Sequence, residues 1–267
     1  MIAGVLIIVL ASYWWVLRRS IFILAYHAVG PELSPIAGLV IRPDSFRNQM
    51  RLLAALGFQN ISLDEAVDRL RRGDAPKTPM LCITFDDGYH NISVNALPVL
   101  LEMGWTATVF VPTELVGTTN NWDTSVAIPS IPLLGWSDLE LLTSKGFLIG
   151  SHGKTHRSLP KLAEEECLSE LRDSLSTLRT RLPRYSLIFC YPFSHRNPAA
   201  ASLAQRSGYS AACSMVAGAV AGKDDLYDLG RLPIGNDSLL VFLLSLAWYP
   251  VTSFGRSLLR RLKYEAP

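Results

Sequence analysis

The sequence predicts an α/β fold in which parallel strands alternate with helices along the chain. Short, fully apolar runs such as Ile21–Tyr26 and Met80–Phe85 have the composition of strands that are buried on both faces. Stretches whose apolar residues recur at helical spacing separate these runs. The number of such units leaves room for a barrel or for a doubly wound sheet. In either architecture, functional groups lie at the carboxyl ends of the strands.

The predicted elements follow one another in regular order. A helix over residues 43–56 carries apolar side chains at helical spacing, and a second helix over residues 62–72 begins at Ser62, with Glu65 completing a capping box. After the strand Met80–Phe85, the pattern predicts a helix at 93–103, a strand at 106–111, a helix at 137–145, a strand at 147–150, a helix at 163–182, a strand at 187–190, a helix at 198–207 and a strand at 209–213.

The beginning of the chain is apolar. Residues 1–17 contain no charged side chain, aromatic residues stand at 13–15, and the basic pair Arg18 and Arg19 follows. The stretch is just long enough for a bilayer core and lacks the basic start and the cleavage site of a signal peptide, although a buried helix or strand is the alternative. We expect residues 1–19 to be a single-pass membrane anchor. The positive-inside tendency then places the following domain in the cytoplasm.

The end of the chain is apolar and then basic. Residues 239–248 are mostly apolar, and beyond Pro250 the chain carries Arg256, Arg260, Arg261 and Lys263. This stretch is too short to span a membrane. It fits an interfacial helix attracted to anionic lipid, and it fits a terminal helix packed on the domain equally well. The chain thus divides into an anchor (1–19), a domain (20–237) and a C-terminal segment (238–267).

Charge and cysteine content argue against two classes of protein. The formal net charge of +2 is too small to suggest nucleic acid as the main partner. The cysteines share no C-x-x-C pair and no short metal-binding spacing, and a disulfide framework is not expected in a chain of 267 residues. We therefore expect buried thiols at Cys82, Cys167, Cys190 and Cys213.

Two adjacent carboxylates follow the strand Met80–Phe85. Asp86 and Asp87 precede Gly88, which allows the chain to turn sharply. Two carboxylates at the end of a buried strand are costly unless something neutralises them, and a divalent metal would do so. An ordinary surface turn is the alternative.

Two histidines follow the predicted strand 147–150. His152 and His156 stand four positions apart, and they can bind one metal if the segment forms a helical turn. Alone, the pattern also fits two unrelated imidazoles. Together with one carboxylate at a neighbouring strand end, two imidazoles leave positions open for water and substrate, which is the composition of a hydrolytic zinc site.

A third segment, Tyr191-Pro192-Phe193, leaves the predicted strand 187–190 and can form the wall of a groove. In this order, T-F-D-D-G, H-x-x-T-H and Y-P-F resemble the polysaccharide deacetylase family (the NodB homology domain, carbohydrate esterase family 4). The resemblance covers roughly residues 21–233. It implies an incomplete or distorted (β/α) barrel and the metal-dependent hydrolysis of an N-acetyl group on a sugar.

The resemblance also implies roles for individual residues. Asp86 matches the general base, and Asp87, His152 and His156 match the ligands of a divalent metal. Zinc suits two imidazoles and a carboxylate, although other first-row ions also fit.

The remaining implied roles concern the substrate. Tyr191, Pro192 and Phe193 match the substrate wall, in which the backbone N–H after the first residue helps to hold the oxyanion. Trp136 lies ahead of the histidine motif, as an aromatic residue often does in relatives. The loop over residues 117–132 could overhang the site.

Two departures from the family pattern affect the catalytic groups. Many members carry an arginine that orients the base, where this chain has Cys190, and many end with a Leu-x-His whose histidine is the general acid. No histidine follows His195, and Arg231 stands roughly where that motif would be. His27, at the end of the first strand, resembles the Y-H of a permuted branch and is the expected acid. His90, like His195, is expected to be a loop residue.

These expectations describe an enzyme that removes an N-acetyl group from an amino sugar of a glycan or a lipid-linked saccharide and releases acetate. A domain facing the cytoplasm favours a lipid-linked or nucleotide-linked sugar, and one facing outward favours a wall or capsule polymer. The alternative function is a catalytically inactive, membrane-tethered glycan-binding module. The retained Asp86 argues against it, whereas the missing arginine and Leu-x-His leave it open.

Overall fold

A computed structural model of the chain describes residues 20–31, 39–122, 130–215 and 226–248. The expected anchor at residues 1–19 and the basic part of the C-terminal segment lie outside these ranges. Within them, no helix is both long enough and apolar enough to cross a membrane.

The strands form one parallel sheet and a short two-stranded addition. The strands are β1 (Ile21–Tyr26), β2 (Ala28–Val29), β3 (Val40–Ile41), β4 (Gln59–Asn60), β5 (Met80–Phe85), β6 (Thr108–Val111), β7 (Leu148–Ser151), β8 (Ile188–Cys190), β9 (Ala211–Ser214), β10 (Leu229–Gly230) and β11 (Leu232–Pro233). The main sheet runs in the order β10-β9-β8-β7-β6-β5-β1-β11, with β4 beside β5, while β2 pairs with β3. Its ladders are parallel, as the alternation of strands and helices predicts.

The two edges of the sheet come from neighbouring positions in the chain. β10 and β11 stand at opposite edges, yet only Arg231 separates them. The sheet therefore curls until its edges approach each other, which makes a nearly closed barrel. This confirms the predicted distorted (β/α) barrel over the doubly wound alternative.

Successive strand side chains alternate between the inside of the barrel and the face covered by helices. Ile23, Cys82 and Cys213 belong to an interior cluster that draws on several strands. From Cys82 the same alternation continues through Thr84 to Asp86, which therefore also faces inward, at the mouth of the barrel. The cysteines are all free and buried, as the sequence predicts.

The helices lie close to their predicted positions. They are α1 (Pro43–Ala55), α2 (Leu63–Arg72), α3 (Leu97–Glu102), α4 (Trp136–Ser144), α5 (Glu164–Arg181), α6 (Pro198–Arg206) and a last helical stretch, α7, over residues 239–248. Half of the predicted capping box of α2 is present, because the Ser62 side chain accepts a hydrogen bond from the backbone N–H of Glu65 at 3.1 Å. The Glu65 side chain pairs with Arg69 at 2.9 Å instead of completing the box. Gly73, in the left-handed conformation, ends that helix.

The continuous helix predicted over residues 93–103 is wrong in its first half. A π-helical turn, Ile92–Ala96, precedes α3. Pro98 is the physical reason, because it has no N–H to donate and its ring would collide with the carbonyl four residues earlier in a regular α-helix.

The last helix packs on the domain on one side. Phe242 and Leu246 are buried in the main core, while Leu240, Leu244 and Trp248 are 60–66% exposed. The exposed residues recur every four positions and therefore share one face of the helix. The packed terminal helix expected as one alternative is thus observed, and it also presents an apolar face to the outside.

Candidate active site

The carboxyl ends of the strands surround one cavity of about 270 Å³. Residues that follow β1, β5, β7 and β8 contribute to its lining, and they include His27, Asp86, Asp87, His152, His156, Tyr191 and Phe193. Parallel strands direct their carboxyl ends to the same face, so residues far apart in the chain meet there.

The chain turns sharply after β5, with left-handed backbone conformations at Asp87 and Gly88. Asp87 has φ +68° and Gly88 has φ +71°. Asp tolerates this region because of its short polar side chain. Position 88 requires glycine on two grounds, since a Cβ there would also lie 2.7 Å from Cγ1 of Val111.

The segment that carries the two histidines is a loop, so the predicted helical turn is wrong. Gly153 and His156 both have positive φ, +81° and +62°. A helical turn is unnecessary because the loop folds back and brings the two imidazoles together, with ring centroids 4.9 Å apart.

Asp87 lies between the two imidazoles. Its Oδ1 is 3.3 Å from Nε2 of His152 and 3.2 Å from Nε2 of His156. In a tetrahedral zinc site, bonds of about 2.0–2.1 Å separate neighbouring ligand atoms by roughly 3.3 Å. One carboxylate and two imidazoles at this spacing therefore fit a divalent metal with three protein ligands.

Neighbouring groups prepare these side chains for a metal. The Cys190 carbonyl lies 2.8 Å from Nδ1 of His152, and because a carbonyl only accepts, Nδ1 donates to it, which leaves Nε2 facing Asp87 as the nitrogen that would bind a metal. Burial lowers the pKa of His156 and favours the neutral imidazole, which is the form that binds metal. Burial raises the pKa of Asp87, but hydrogen bonds with His152 and His156 outweigh it and hold the pKa well below its usual value.

A second set of possible ligands shares His152. It consists of Asp86, His152 and Cys190, whose ligand atoms lie within 4.8 Å of one another. The thiolate is the form of cysteine that binds metal, and burial raises the pKa of Cys190. The buried guanidinium of Arg231 also engages both oxygens of Asp86. The set built on Asp87 is therefore the better metal site.

The buried guanidinium of Arg231 holds Asp86. Nη1 donates to Oδ1 and Nη2 to Oδ2, each at 2.7 Å. Nη1 also donates to Oγ1 of Thr84 at 3.0 Å, and Nη2 lies 3.1 Å from Sγ of Cys190. Burial raises the pKa of Asp86, but Arg231 outweighs it, so the pKa lies below its usual value and the carboxylate stays ionised.

The chain has Cys190 at the position where an arginine was expected to orient the base, and Arg231 makes that contact with Asp86 instead. Its guanidinium touches Cys190, so the space left by the smaller side chain is filled from the opposite edge of the sheet. The signal available in the sequence is a lone arginine between two apolar pairs, Leu229–Gly230 and Leu232–Pro233. The role of Arg231 becomes evident only when the two edges of the sheet approach each other.

The three histidines without an implied metal role differ in position. His27 lines the cavity, and its buried Nδ1 has no hydrogen-bond partner among the described residues. His90 is exposed with Nε2 3.9 Å from Asp138, and His195 is exposed with Nδ1 2.9 Å from Oγ of Ser158. Neither lines the cavity.

The expected oxyanion donor in the third motif is wrong. The residue after Tyr191 is Pro192, which has no N–H, and the N–H of Tyr191 donates to the Cys213 carbonyl at 3.2 Å. Tyr191 and Pro192 are buried, whereas Phe193 is 48% exposed and packs its ring on His156 at 4.6 Å. Of the three wall residues, Phe193 presents the largest surface to the outside.

Trp136 does not line the cavity. It starts α4, and the Arg181 guanidinium lies 4.8 Å from its ring centre. Trp122 lines the cavity instead and packs on His156, with ring centroids 4.3 Å apart. Asn120 also lines it, so the described part of the loop 117–132 borders the site.

Comparison with known proteins agrees with this geometry. The family model described as polysaccharide deacetylase matches residues 73–212, just over half of the chain. A Bacillus subtilis (strain 168) protein named "Putative polysaccharide deacetylase YxkH" is 26% identical over 212 residues, which cover 79% of this chain and 70% of the relative.

Solved structures share the fold. The Streptococcus pyogenes deacetylase PplD, in complex with acetate, has a TM-score of 0.74 at 23% identity and covers 85% of this chain and 98% of its own. IcaB from Ammonifex degensii has a TM-score of 0.74 at 21% identity, covering 86% and 97%. The chain belongs to the polysaccharide deacetylase family.

Proposed function

We propose that this protein is a metal-dependent N-deacetylase that acts on an N-acetylated amino sugar and releases acetate. The observation that carries the proposal is the pairing of Asp86 with Arg231 beside the Asp87–His152–His156 set, in one cavity. An ionised carboxylate oxygen of Asp86 lies within 4.8 Å of a ring nitrogen of His152, so the base stands next to the metal ligands. A module that only binds glycans has no need for this arrangement.

The residues of the chain divide the chemistry among themselves. Asp87, His152 and His156 would hold a divalent cation, for which zinc is the favoured candidate, and the bound cation would supply a lowered pKa of a water and the polarisation of a carbonyl. Asp86 accepts the proton of the attacking water, and Arg231 keeps that carboxylate ionised and fixes its orientation. The rings of Trp122 and Phe193 both pack on His156 at the cavity.

The family and the rim of the cavity support this choice of substrate. An N-acetylated sugar, in a polymer or on a lipid carrier, supplies the amide that the site would hydrolyse. The exposed ring of Phe193 and the ring of Trp122 offer apolar faces at the cavity, while Asn120 and Ser194 add polar groups to its lining outside the reacting centre.

The test is acetate release from a panel of N-acetyl sugars, oligomers and lipid-linked saccharides, measured with and without a chelator. The proposal expects release from at least one member and its loss on chelation. Glycan binding without release by the zinc-loaded protein would favour the inactive binding module instead.

His27 is the proposed general acid. An amine leaves a tetrahedral intermediate readily only when it is protonated, and an imidazole titrates near neutral pH. His27 is, among the described residues, the histidine that lines the cavity without belonging to the proposed metal site. No described hydrogen bond engages its buried Nδ1.

Replacing His27 with alanine should lower turnover of the N-acetyl sugar while the protein keeps its metal and fold. An activated acetyl ester, whose leaving group needs no proton, should be hydrolysed almost as fast by the variant as by the parent. His90→Ala is the matched control, since His90 is exposed and lies off the cavity. Equal losses on both substrates would assign His27 a structural role.

We also propose that the protein is membrane-bound, with residues 1–19 as a single-pass anchor and the domain on the cytoplasmic side. The proposal rests on the uncharged stretch followed by Arg18 and Arg19. It also rests on the exposed face of α7 formed by Leu240, Leu244 and Trp248. The basic residues that follow α7 in the sequence would attract that face to anionic lipid.

Deleting residues 1–17 should leave a protein that high salt releases from membranes, because only the weaker C-terminal contact remains. Adding Leu244→Glu should abolish that residual binding, whereas Leu141→Glu, at another exposed leucine, should not. Flotation with anionic vesicles measures the membrane binding of the truncated protein and of its two variants. If the truncated protein resists high-salt extraction, the C-terminal segment is an anchor in its own right, and if the full chain is never membrane-bound, the proposal is wrong.

A further inference from the structure

A buried carboxylate on α5 contacts the backbone of the loop that carries His152 and His156. Glu170 is only 4% exposed. Its Oε2 accepts hydrogen bonds from the backbone N–H groups of Lys154 at 2.7 Å and Thr155 at 2.9 Å. Its Oε1 accepts one from the Thr155 hydroxyl. A single side chain thus binds two consecutive peptides between the two histidines.

Ser174, one helical turn later, binds the carbonyl side of the first of these two peptides. Its hydroxyl donates to the Gly153 carbonyl at 3.0 Å and lies 2.6 Å from the hydroxyl of Ser151. The Ser151 hydroxyl in turn accepts from the N–H of Gly153 at 3.2 Å. Ser151, Ser174 and Glu170 therefore hold the loop backbone from Gly153 to Thr155. The backbone N–H groups of Thr113 and Glu114 hold it as well, since they donate to the Gly153 and Lys154 carbonyls at 3.1 and 2.9 Å.

The shape of the loop explains why a carboxylate is needed. With positive φ at Gly153 and His156, the intervening N–H groups point toward one place instead of into a helix or sheet. Among the described residues, no lysine or arginine pairs with Glu170, so the loop N–H groups and the Thr155 hydroxyl are what compensate its buried charge. A Cβ at position 153 would stand 3.1 Å from Oε2 of Glu170, so the close approach also depends on the glycine.

We infer that Glu170, assisted by Ser174, is a positioning residue that sets the spacing of the two imidazoles and thereby the affinity of the site for its metal. The inference rests on the proposed metal site. The imidazoles converge on Asp87 only while the loop keeps its left-handed residue at His156. Without the carboxylate, the N–H groups of Lys154 and Thr155 and the Thr155 hydroxyl lose their acceptor, although all three ligands remain in the chain.

The test compares the zinc affinity of Glu170→Gln with that of the parent protein, by competition against a chromogenic chelator. Groups that orient metal ligands typically change metal affinity about 10- to 100-fold when they are replaced, and a loss in this range is expected. Glu165→Gln is the matched control, because Glu165 is exposed on the same helix. Ser174→Ala, which removes only the neutral hydrogen bonds of one hydroxyl, should give a smaller loss and serves if Glu170→Gln fails to fold.

A second readout separates positioning from mere stabilisation. The visible spectrum of the cobalt-substituted protein reports the ligand geometry, and it should change in Glu170→Gln but not in Glu165→Gln. Lower thermal stability with unchanged zinc affinity and an unchanged cobalt spectrum would overturn the inference. If the parent itself binds no metal, the proposed function fails rather than this inference alone.

Discussion

Replacing Asp86 with asparagine is expected to lower turnover about 100- to 10,000-fold while the bound metal stays in place, because the change removes a general base and no proposed ligand. Asparagine keeps the size and shape of the side chain. The measurement is acetate release at matched metal content, with metal determined by elemental analysis. Near-normal turnover would remove Asp86 from the role of base.

The same substitution leaves Arg231 as a buried cation without its partner, so folding must be measured beside activity. Loss of activity in a folded, metal-loaded Asp86→Asn protein is the informative result. If the variant is too unstable to assay, combining it with Arg231→Met removes both charges and should restore much of the stability without restoring turnover.

Arg231→Met is expected to have the largest effect on stability. It leaves the Asp86 carboxylate buried without its guanidinium, and breaking a buried pair in this way costs about 3–5 kcal/mol of the free energy of unfolding. Because Arg231 is what holds the pKa of Asp86 down against burial, that pKa should rise. The base is active when deprotonated, so the acidic limb of the pH–rate profile should move to higher pH.

Denaturant unfolding and the pH–rate profile check this prediction. Arg231→Lys is the comparison variant, since it keeps a charge but loses the two parallel hydrogen bonds to Asp86, and it should fall between the parent and Arg231→Met. An Arg231→Met protein with unchanged stability and an unchanged acidic limb would mean that Arg231 does not control the ionisation of Asp86.

The strands and the residues at their ends were predictable from local sequence. β1 and β5 are apolar runs bounded by polar residues, and this pattern alone placed His27, Asp86 and Asp87 at strand ends. Parallel pairing then requires these ends to share one face. The resemblance to a known family added the implied roles, which no local pattern could supply.

The features that the sequence did not predict depend on contacts between distant segments. Arg231 meets Asp86 only because the two edges of the sheet approach each other, and nothing local to position 231 indicates that closure. The loop after His152 is held by hydrogen bonds to Glu170, which lies on the next helix. The spacing of four between the histidines carries no information about these contacts, and it suggested a helical turn that does not form. Trp122, rather than Trp136, lines the cavity, and this too depends on contacts between segments that are distant in the sequence.

Acetate release by the purified protein, measured after its metal has been removed and again after one equivalent of zinc has been returned, tests whether the proposed metal is catalytic. Release should disappear in the metal-free protein and reappear with zinc. In His156→Ala, which keeps the base but lacks one proposed ligand, the same addition should not restore it. Acetate release that continues in protein shown by elemental analysis to be metal-free would contradict a catalytic metal held by Asp87, His152 and His156.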